Sequence, residues 1–333
     1  MSRFFVTGAT GFLGRHLVDQ LLATGHQVVA LCRRDPSPPL PAGVIVRRGD
    51  VTDGASVRDA ASGCDGAFHC AGKVSRHEED AAEMYRVHVD GTKITLDALR
   101  EVGVKRVVVA STSGTIAVSD DPDVALDETA EPPLSIIARW PYYRSKLFAE
   151  QAALERNGDG FEVISVNPSL LLGPGDLHGS STEDLRKFVE GKVPFVPAGG
   201  IAFVDARDAA VALVQAMERG EPGQRYLVNG ANMTLSVFFG RLSRLTGIKA
   251  PPVKLPRTPP LLAGVGAELF GKAARALNMT SPVDRISAEM AQYYWYCDAS
   301  QAQRELDWEP RDPGETLLDT LEDLEARGVI WPR

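Results

Sequence analysis

A tyrosine and a lysine four residues apart have the clearest capacity for chemistry in this sequence. Tyr142 and Lys146 form a YxxxK pair near the start of a predicted helix that runs to Glu155, and this spacing places both side chains on one helix face. A free phenol has a pKa of about 10, which a neighbouring ammonium group lowers by stabilising the phenolate. We therefore predict that Tyr142 protonates a carbonyl oxygen and that Lys146 lowers the Tyr142 pKa and holds a cofactor ribose. A YxxxK pair taken alone is also common on helix surfaces.

A hydroxyl-rich segment at 109–115 offers a second group for the same reaction. The segment reads VASTSGT and leaves the end of a predicted apolar strand. A hydroxyl donor in that place polarises the carbonyl oxygen that Tyr142 protonates. On residue type alone, four hydroxyls are candidates: Ser111, Thr112, Ser113 and Thr115.

The first predicted strand leads into the glycine pattern TGxxGxxG at 7–14. Gly8 permits a tight turn, Gly11 lets a pyrophosphate approach the backbone, and Gly14 lets the next helix sit close to the strand. The N-terminus of that helix offers unpaired N–H groups and partial positive charge to phosphates. We expect this turn to bind a dinucleotide, through Gly8, Thr10, Gly11, Phe12, Leu13 and Gly14.

Two arginines indicate which dinucleotide is bound. Arg33 and Arg34 follow the second predicted strand, where a fold that prefers NAD has an acidic residue. Arginine pairs with a 2′-phosphate and accepts no hydrogen bond from a ribose hydroxyl, so we predict NADP(H). NAD(H) remains an alternative in which Asp35 binds the ribose and both arginines are surface residues. The next strand ends supply further expected cofactor contacts: Asp50, Val51, Cys70, Ala71 and Gly72.

Short apolar runs alternate with helical patterns along the first half of the chain. The predicted strands are 4–7, 28–32, 44–48, 66–70, 106–110 and 162–166, and the first predicted helix is 14–24. Strands joined through helices form a parallel sheet covered on both faces. We therefore predict an α/β fold, a doubly wound Rossmann domain over 1–168 with a return segment near 201–230.

The later part of the chain is richer in turn-forming residues. We predict that 169–200 and 231–333 form a smaller substrate-binding region. The helices predicted there are 235–246, 261–277 and 316–327.

Composition disfavours several classes of protein. With 36 Lys+Arg and 44 Asp+Glu, the net charge is −8, which gives no long-range attraction to nucleic acid or anionic lipid. Cys32, Cys64, Cys70 and Cys297 lack the spacing of a zinc site or a disulfide scaffold. No apolar run is long enough to span a bilayer, and the N-terminus lacks the pattern of a signal peptide. We expect a cytoplasmic protein that binds small molecules, with no metal, nucleic acid or membrane partner.

The motifs together resemble those of extended short-chain dehydrogenase/reductases in the NAD-dependent epimerase/dehydratase superfamily. The resemblance covers nearly the whole chain and is strongest to the dihydroflavonol 4-reductase-like, cinnamoyl-CoA reductase-like and 3β-hydroxysteroid dehydrogenase-like branch. The matching motifs are TGATGFLG at 7–14, GDVTD at 49–53, PYYRSK at 141–146, NPSLLLGPGD at 167–176 and FVDARDAA at 203–210.

The resemblance implies roles for further residues. It places the catalytic hydroxyl on Thr112, with Ser111 and Ser113 as the other registers, and it places Pro168 and Ser169 beside the nicotinamide. Thr112 replaces a serine, which keeps the hydroxyl and restricts its rotamer.

The resemblance also marks a departure and a partner. His88 lies in HVDGT at 88–92, where the family often has asparagine. We expect a structural replacement, with an altered proton path as the alternative. Helices at 81–102 and 142–156 correspond to helices that pair in homodimers of similar proteins, so a homodimer is expected.

The same comparison narrows the reaction. Dehydratases of this superfamily carry an Asp-Glu pair directly after the catalytic hydroxyl, whereas this chain has Ser113 and Gly114. The apolar segment 167–174 resembles the reductases more than the epimerases. The resemblance thus implies an NADPH-dependent oxidoreductase that reduces a ketone or aldehyde, or catalyses the reverse. The alternatives are an NAD-dependent sugar-nucleotide epimerase and a non-enzymatic protein that senses NADP.

The substrate walls are expected from four segments, namely 73–80, 175–200, 261–277 and 293–296. The last two are apolar or aromatic, although most of their side chains also suit a domain core. A fairly hydrophobic substrate follows.

Overall fold

The computed structural model describes residues 1–276 and 285–331. Its strands are β1 (Arg3–Thr7), β2 (Gln27–Cys32), β3 (Ile45–Arg48), β4 (Gly66–His69), β5 (Arg106–Ala110), β6 (Glu162–Pro168), β7 (Leu170–Leu172), β8 (Gly200–Asp205), β9 (Arg225–Val228) and β10 (Ala231–Thr234). Its helices are α1 (Phe12–Ala23), α2 (Gly54–Ala61), α3 (Ala81–Tyr85), α4 (Gly91–Glu101), α5 (Leu134–Ile137), α6 (Pro141–Leu154), α7 (Glu183–Val189), α8 (Ala206–Arg219), α9 (Leu235–Thr246), α10 (Pro260–Ala276), α11 (Arg285–Met290), α12 (Ser300–Leu306) and α13 (Pro313–Ala326).

A seven-stranded sheet of order β3-β2-β1-β4-β5-β6-β9 forms the centre of the molecule. Every neighbouring pair in it is parallel, because the chain crosses over through a helix or a longer excursion between paired strands. The order reverses direction between β1 and β4, and ligands bind at such a point beyond the carboxyl ends of the strands. The predicted doubly wound α/β fold is confirmed.

The two faces of the sheet have separate apolar cores, because successive residues of a strand point to opposite faces. Phe4 and Val6 of β1 pack with Leu17 of α1 on one face. Phe5 packs with Leu96 of α4 on the other face. Burying an apolar side chain of this size contributes about 2 kcal/mol, so apolar residues on both faces of β1 stabilise the sheet.

A second, three-stranded sheet has the order β10-β8-β7. Strand β8 is antiparallel to β10 and parallel to β7, and α7, α9 and α13 pack against it through a third apolar core. The return segment expected near 201–230 is divided between the two sheets, because β8 lies in the small sheet whereas β9 completes the large one.

Two predicted helices differ from the structure. The helix predicted at 81–102 is α3 and α4 separated by a π-helical turn over Arg86–Asp90. The helix predicted at 261–277 is α10, and Leu277 lies outside the described residues. Within the described ranges, no helix combines the length and apolarity needed to cross a bilayer.

Candidate active site

The glycine turn forms a cradle of bare backbone at the end of β1. Gly8 has a φ of +73°, and a Cβ there would lie 2.5 Å from the carbonyl carbon of Cys70. A Cβ on Gly14 would lie 2.1 Å from the carbonyl oxygen of Gly8. Helix α1 begins directly after Gly11, so its free N–H groups are beside the turn. The residues at this turn fit a pyrophosphate, and Thr10 and Leu13 lie within the same turn and first helical residues.

Buried hydrogen bonds connect this cradle to the end of β4. Thr7 Oγ1 accepts from the Ala71 amide at 3.2 Å and lies 2.9 Å from His69 Nδ1. The second ring nitrogen of His69 lies 3.0 Å from Thr92 Oγ1. Burial, followed by the charge of Lys146, lowers the pKa of His69 to about 3. His69 is therefore a neutral structural residue.

The strand ends nearer the outer edge carry the residues expected to bind the adenosine half. Arg33 and Arg34 are exposed in a bend after β2. Asp35 forms an exposed ion pair with Arg48 at 3.0 Å, so its carboxylate already has a cationic partner.

Asp50 and Val51 occupy the turn after β3. Asp50 Oδ1 accepts from the Thr52 amide at 2.9 Å and from Thr52 Oγ1 at 2.8 Å. Burial opposes ionisation of Asp50, but these hydrogen bonds, together with the charges of Arg33 and Arg86, hold the Asp50 pKa below its usual value. Val51 is buried, so Asp50 and Thr52 are the polar residues beside it.

Helix α6 presents the YxxxK pair to the cavity. Pro141 is its first residue, a position where the missing N–H costs no helical hydrogen bond. Lys146 Nζ donates to the carbonyl oxygen of Ala110 at 2.6 Å. Burial lowers the pKa of Lys146 to about 8, so a large fraction of the amine is uncharged in mildly alkaline solution.

The expected lowering of the Tyr142 pKa is wrong for this structure. Burial, followed by the neighbouring Tyr143, raises the pKa of Tyr142 above that of a free phenol. The Lys146 amine donates its hydrogen bond to the Ala110 carbonyl oxygen. The phenol is consequently held protonated.

The hydroxyl side chains of segment 109–115 differ in their exposure to solvent. Ser111 and Ser113 are buried, whereas Thr112 is half-exposed. Ser111 Oγ donates to the buried Glu150 carboxylate. Ser113 acts on the Cys297 thiol, whose pKa burial raises and Ser113 lowers. These contacts favour Thr112 as the hydroxyl available to a ligand.

His88 connects the segment after β4 to the catalytic helix. Its Nε2 accepts from the Lys73 amide at 2.9 Å, so the ring proton is on Nδ1, which lies 2.8 Å from Ser145 Oγ. Ser145 Oγ in turn donates to the carbonyl oxygen of Tyr142 at 2.9 Å. Burial, followed by the charge of Lys146, lowers the pKa of His88 to about 3. A neutral, fully hydrogen-bonded ring supports the structural interpretation of His88.

Sequence reasoning missed Ser145 and Glu150, both on α6. Glu150 is 1% exposed and lies four residues beyond Lys146. The repeated spacing of four from Tyr142 to Lys146 to Glu150 was the available signal, because residues at that spacing share a helix face.

One cavity of about 940 Å³ joins the cradle, α6 and the smaller sheet. The predicted site residues that line it are Gly8, Gly11, Phe12, Leu13, Gly14, Cys70, Gly72, Thr112, Tyr142, Lys146, Pro168 and Ser169. Its apolar wall includes Phe195, Leu262 and Trp295 from the expected wall segments. Phe238 and Met290 also line it, although they lie outside those segments. Tyr293 and Tyr294 belong instead to the protein interior, as both are buried.

The ring of Tyr143 occupies the space beside Gly114. It lies 4.8 Å from Trp295, measured between ring centroids. A Cβ at Gly114 would lie 2.3 Å from a ring carbon of Tyr143. A side chain at residue 114 therefore cannot fit unless Tyr143 moves.

Residues 4–229 match the NAD dependent epimerase/dehydratase family. The chain belongs to this family. Sterol demethylase protein B of Methylococcus capsulatus is 32% identical over 98% of this chain and 99% of its own length. Cinnamoyl-CoA reductase 1 of Oryza sativa subsp. japonica is 34% identical over 68% of this chain and 70% of its own length. The crystal structure of gox2253 superposes with a TM-score of 0.85 at 27% identity, covering 99% of this chain and 100% of the other.

These similarities confirm the predicted extended short-chain dehydrogenase/reductase family. Relatives named as reductases and as a dehydrogenase lie within it. The chain is an NAD(P)-dependent oxidoreductase of that type.

Proposed function

We propose that this enzyme uses NADPH to reduce a ketone or aldehyde on a hydrophobic small molecule, or catalyses the reverse oxidation. The observation that carries the proposal is the shared cavity: Thr112, Tyr142 and Lys146 line the space between the glycine cradle and the apolar wall. A carbonyl compound seated against that wall is next to an acid and a hydroxyl donor.

Each residue of the set has a role in this reaction. Bound NADPH supplies a hydride to the carbonyl carbon. Tyr142 donates its phenolic proton to the carbonyl oxygen, and its raised pKa keeps that proton available. Thr112 donates a hydrogen bond that orients the same oxygen, and the Lys146 cation stabilises the phenolate that remains.

NADPH is proposed over NADH because of the charges at the outer strand ends. Arg33 and Arg34 are exposed there, while Asp35 is paired with Arg48. Two exposed guanidinium groups suit a 2′-phosphate better than they suit ribose hydroxyls. We expect the R33A/R34A variant to lose most of its preference for NADPH over NADH in kcat/KM. An unchanged preference contradicts this assignment.

The region after the catalytic hydroxyl supports reduction over dehydration. Tyr143 fills the space at Gly114, so an acid/base side chain at residue 114, which dehydration would use, fits only if Tyr143 moves. The substrate is proposed to be hydrophobic on the strength of the apolar wall. The names of the relatives fit this class, because they refer to a sterol and to a cinnamoyl thioester.

Two further proposals concern the molecule in the cell. A homodimer through the predicted helices at 81–102 and 142–156 would cover Phe148 of α6, which is 38% exposed in one chain. Light scattering measures the oligomeric state directly. Location in the cytoplasm fits four cysteines that are all free thiols.

The decisive experiment follows cofactor oxidation with a panel of aryl, cyclic and acyl ketones. We expect one NADPH consumed for each alcohol formed. An epimerase isomerises a sugar nucleotide without net cofactor turnover, and a sensor binds NADPH without oxidising it. Either of those results contradicts the proposal.

A further inference from the structure

A buried carboxylate lies on the same helix face as the catalytic pair. Glu150 of α6 is 1% exposed. It follows Lys146 by four residues, as Lys146 follows Tyr142. Glutamate is almost never fully buried unless it is paired, so its partners indicate its role.

The partners of Glu150 come from three other parts of the fold. Its Oε2 accepts from Thr115 Oγ1 at 3.0 Å and from Asn167 Nδ2 at 2.7 Å, and also from Ser111 Oγ. Its Oε1 lies 3.1 Å from Nε of Arg225. The carboxylate thus joins α6 to the segment after β5, to β6 and to β9.

Two of these partners also hold the backbone of Thr112. The Thr112 carbonyl oxygen accepts from Asn167 Nδ2 at 3.2 Å and lies 2.9 Å from Thr115 Oγ1, whose single proton is donated to Glu150. The position of the catalytic hydroxyl therefore depends on groups that Glu150 binds.

Glu150 also acts on Lys146 electrostatically. Burial disfavours the Lys146 cation, and Glu150 is the first group that counteracts this effect. The other ionisable groups around the amine are neutral near pH 7, because burial raises the pKa of Cys70 to about 12, lowers those of His69 and His88 to about 3, and raises that of Tyr142. Arg225 of β9 faces Glu150 from its other side.

We propose that Glu150 is a positioning residue that anchors Thr112 through Thr115 and Asn167 and provides the buried countercharge of Lys146. Its part in catalysis rests on the proposed reductase activity, while its effect on Lys146 is a property of the protein alone. Glu150 does both without touching the substrate.

The test uses E150Q, E150D and a control, E155Q, which removes an exposed carboxylate at the end of the same helix. Competitive labelling of the cofactor-free protein with trace acetic anhydride, followed by peptide mass spectrometry, gives the titration midpoint of Lys146. Loss of the countercharge in E150Q is expected to lower that midpoint by about one pH unit, a tenfold change in the protonation equilibrium. E150D, which keeps the charge, and E155Q are expected to stay close to the parent.

Turnover tests the catalytic half of the proposal. With NADPH and a competent ketone, the alkaline limb of the kcat profile of E150Q is expected to move to lower pH, in step with the midpoint of Lys146. The limb moves to lower pH because removing the negative charge of Glu150 favours the neutral form of the Lys146 amine. E150D is expected to lower kcat at every pH without moving the limb, because a shorter side chain strains the contacts to Thr115 and Asn167.

A second variant, E150Q/R225M, is tested in case E150Q alone misfolds. E150Q leaves Arg225 without its buried partner, so E150Q/R225M removes both charges together. The groups that act on Lys146 are Glu150 and Cys70, so the midpoint is still expected to fall. A midpoint equal to that of the parent in either folded variant overturns the countercharge. Failure of the parent to oxidise NADPH with any carbonyl overturns the proposed reaction instead, and the labelling result still stands.

Discussion

Burial controls the ionisable groups of the site residue by residue. It raises the pKa of Tyr142 and lowers that of Lys146 to about 8. Before any ligand binds, the Tyr142 phenol is protonated. The Lys146 amine is a cation that loses its proton more readily than a free lysine does. This is the protonation state that a carbonyl reduction requires, since Tyr142 must begin as an acid. Lys146 then acts on the phenolate formed during the reaction and is not needed to ionise the phenol beforehand.

Tyr142→Phe tests the acid at this scale. The variant retains the ring and loses the proton, so we expect kcat/KM for ketone reduction to fall by about a hundredfold or more. NADPH binding, followed by thermal shift, is expected to persist because the glycine cradle is untouched. Tyr143→Phe is the matched control and is expected to remain within a few-fold of the parent. Equal activity of Tyr142→Phe and the parent contradicts the assignment.

Two elements determine where the reacting groups lie. Helix α6 carries Tyr142, Lys146 and Glu150 at a spacing of four. The π-helical turn over Arg86–Asp90 places His88 against Ser145 of that helix, and such turns are frequent at functional sites. Helix α1 sits directly on the glycine turn, which only glycine at residue 14 allows.

Gly14→Ala tests the packing of α1 on the cradle. A Cβ there would lie 2.1 Å from the Gly8 carbonyl oxygen, so we expect unfolding free energy to fall by about 1–3 kcal/mol and NADPH binding to weaken. Gly240→Ala is the matched control within α9, where a Cβ meets nothing within 4 Å. That variant is expected to gain about 0.5–1 kcal/mol. Urea unfolding and thermal shift with NADPH measure both, and similar stabilities for the two variants contradict the packing argument.

At the scale of the whole molecule, the two sheets enclose the cavity between them. The large sheet supplies the cradle and the catalytic helix, and the smaller region supplies the apolar wall. The interior also holds two histidines in the neutral form, His69 and His88, both 2% exposed.

The buried histidines predict acid sensitivity of the fold. Their pKa values of about 3 lie below the value of 6.5 for a free histidine, so the unfolded chain binds more protons between these limits. Their contribution to stability is complete above about pH 6.5 and decreases as the pH falls toward 3. Each histidine lowers the free energy of unfolding by about 2 kcal/mol at pH 5 relative to pH 7. Urea unfolding at both pH values is expected to show a smaller loss for His69→Gln than for the parent.

The exposed His178 provides the control for that measurement. His178→Gln is expected to lose as much stability as the parent between the two pH values, because it leaves both buried histidines in place and changes only an exposed side chain. If His69→Gln loses as much as His178→Gln, His69 is not held neutral by burial.

The sequence by itself determined the parallel sheet, the glycine turn and the YxxxK pair, because each depends on residues that are close together in the chain. Strand periodicity and a helix spacing of four are local properties, and the observed β1, α1 and α6 agree closely with the elements that they predict. Only the tertiary structure decided the direction of the Tyr142 pKa, the partner of the Lys146 amine and the network around Glu150. These depend on burial and on contacts between segments that are far apart, such as Glu150 with Arg225. No local pattern specifies which distant groups share a low-dielectric interior.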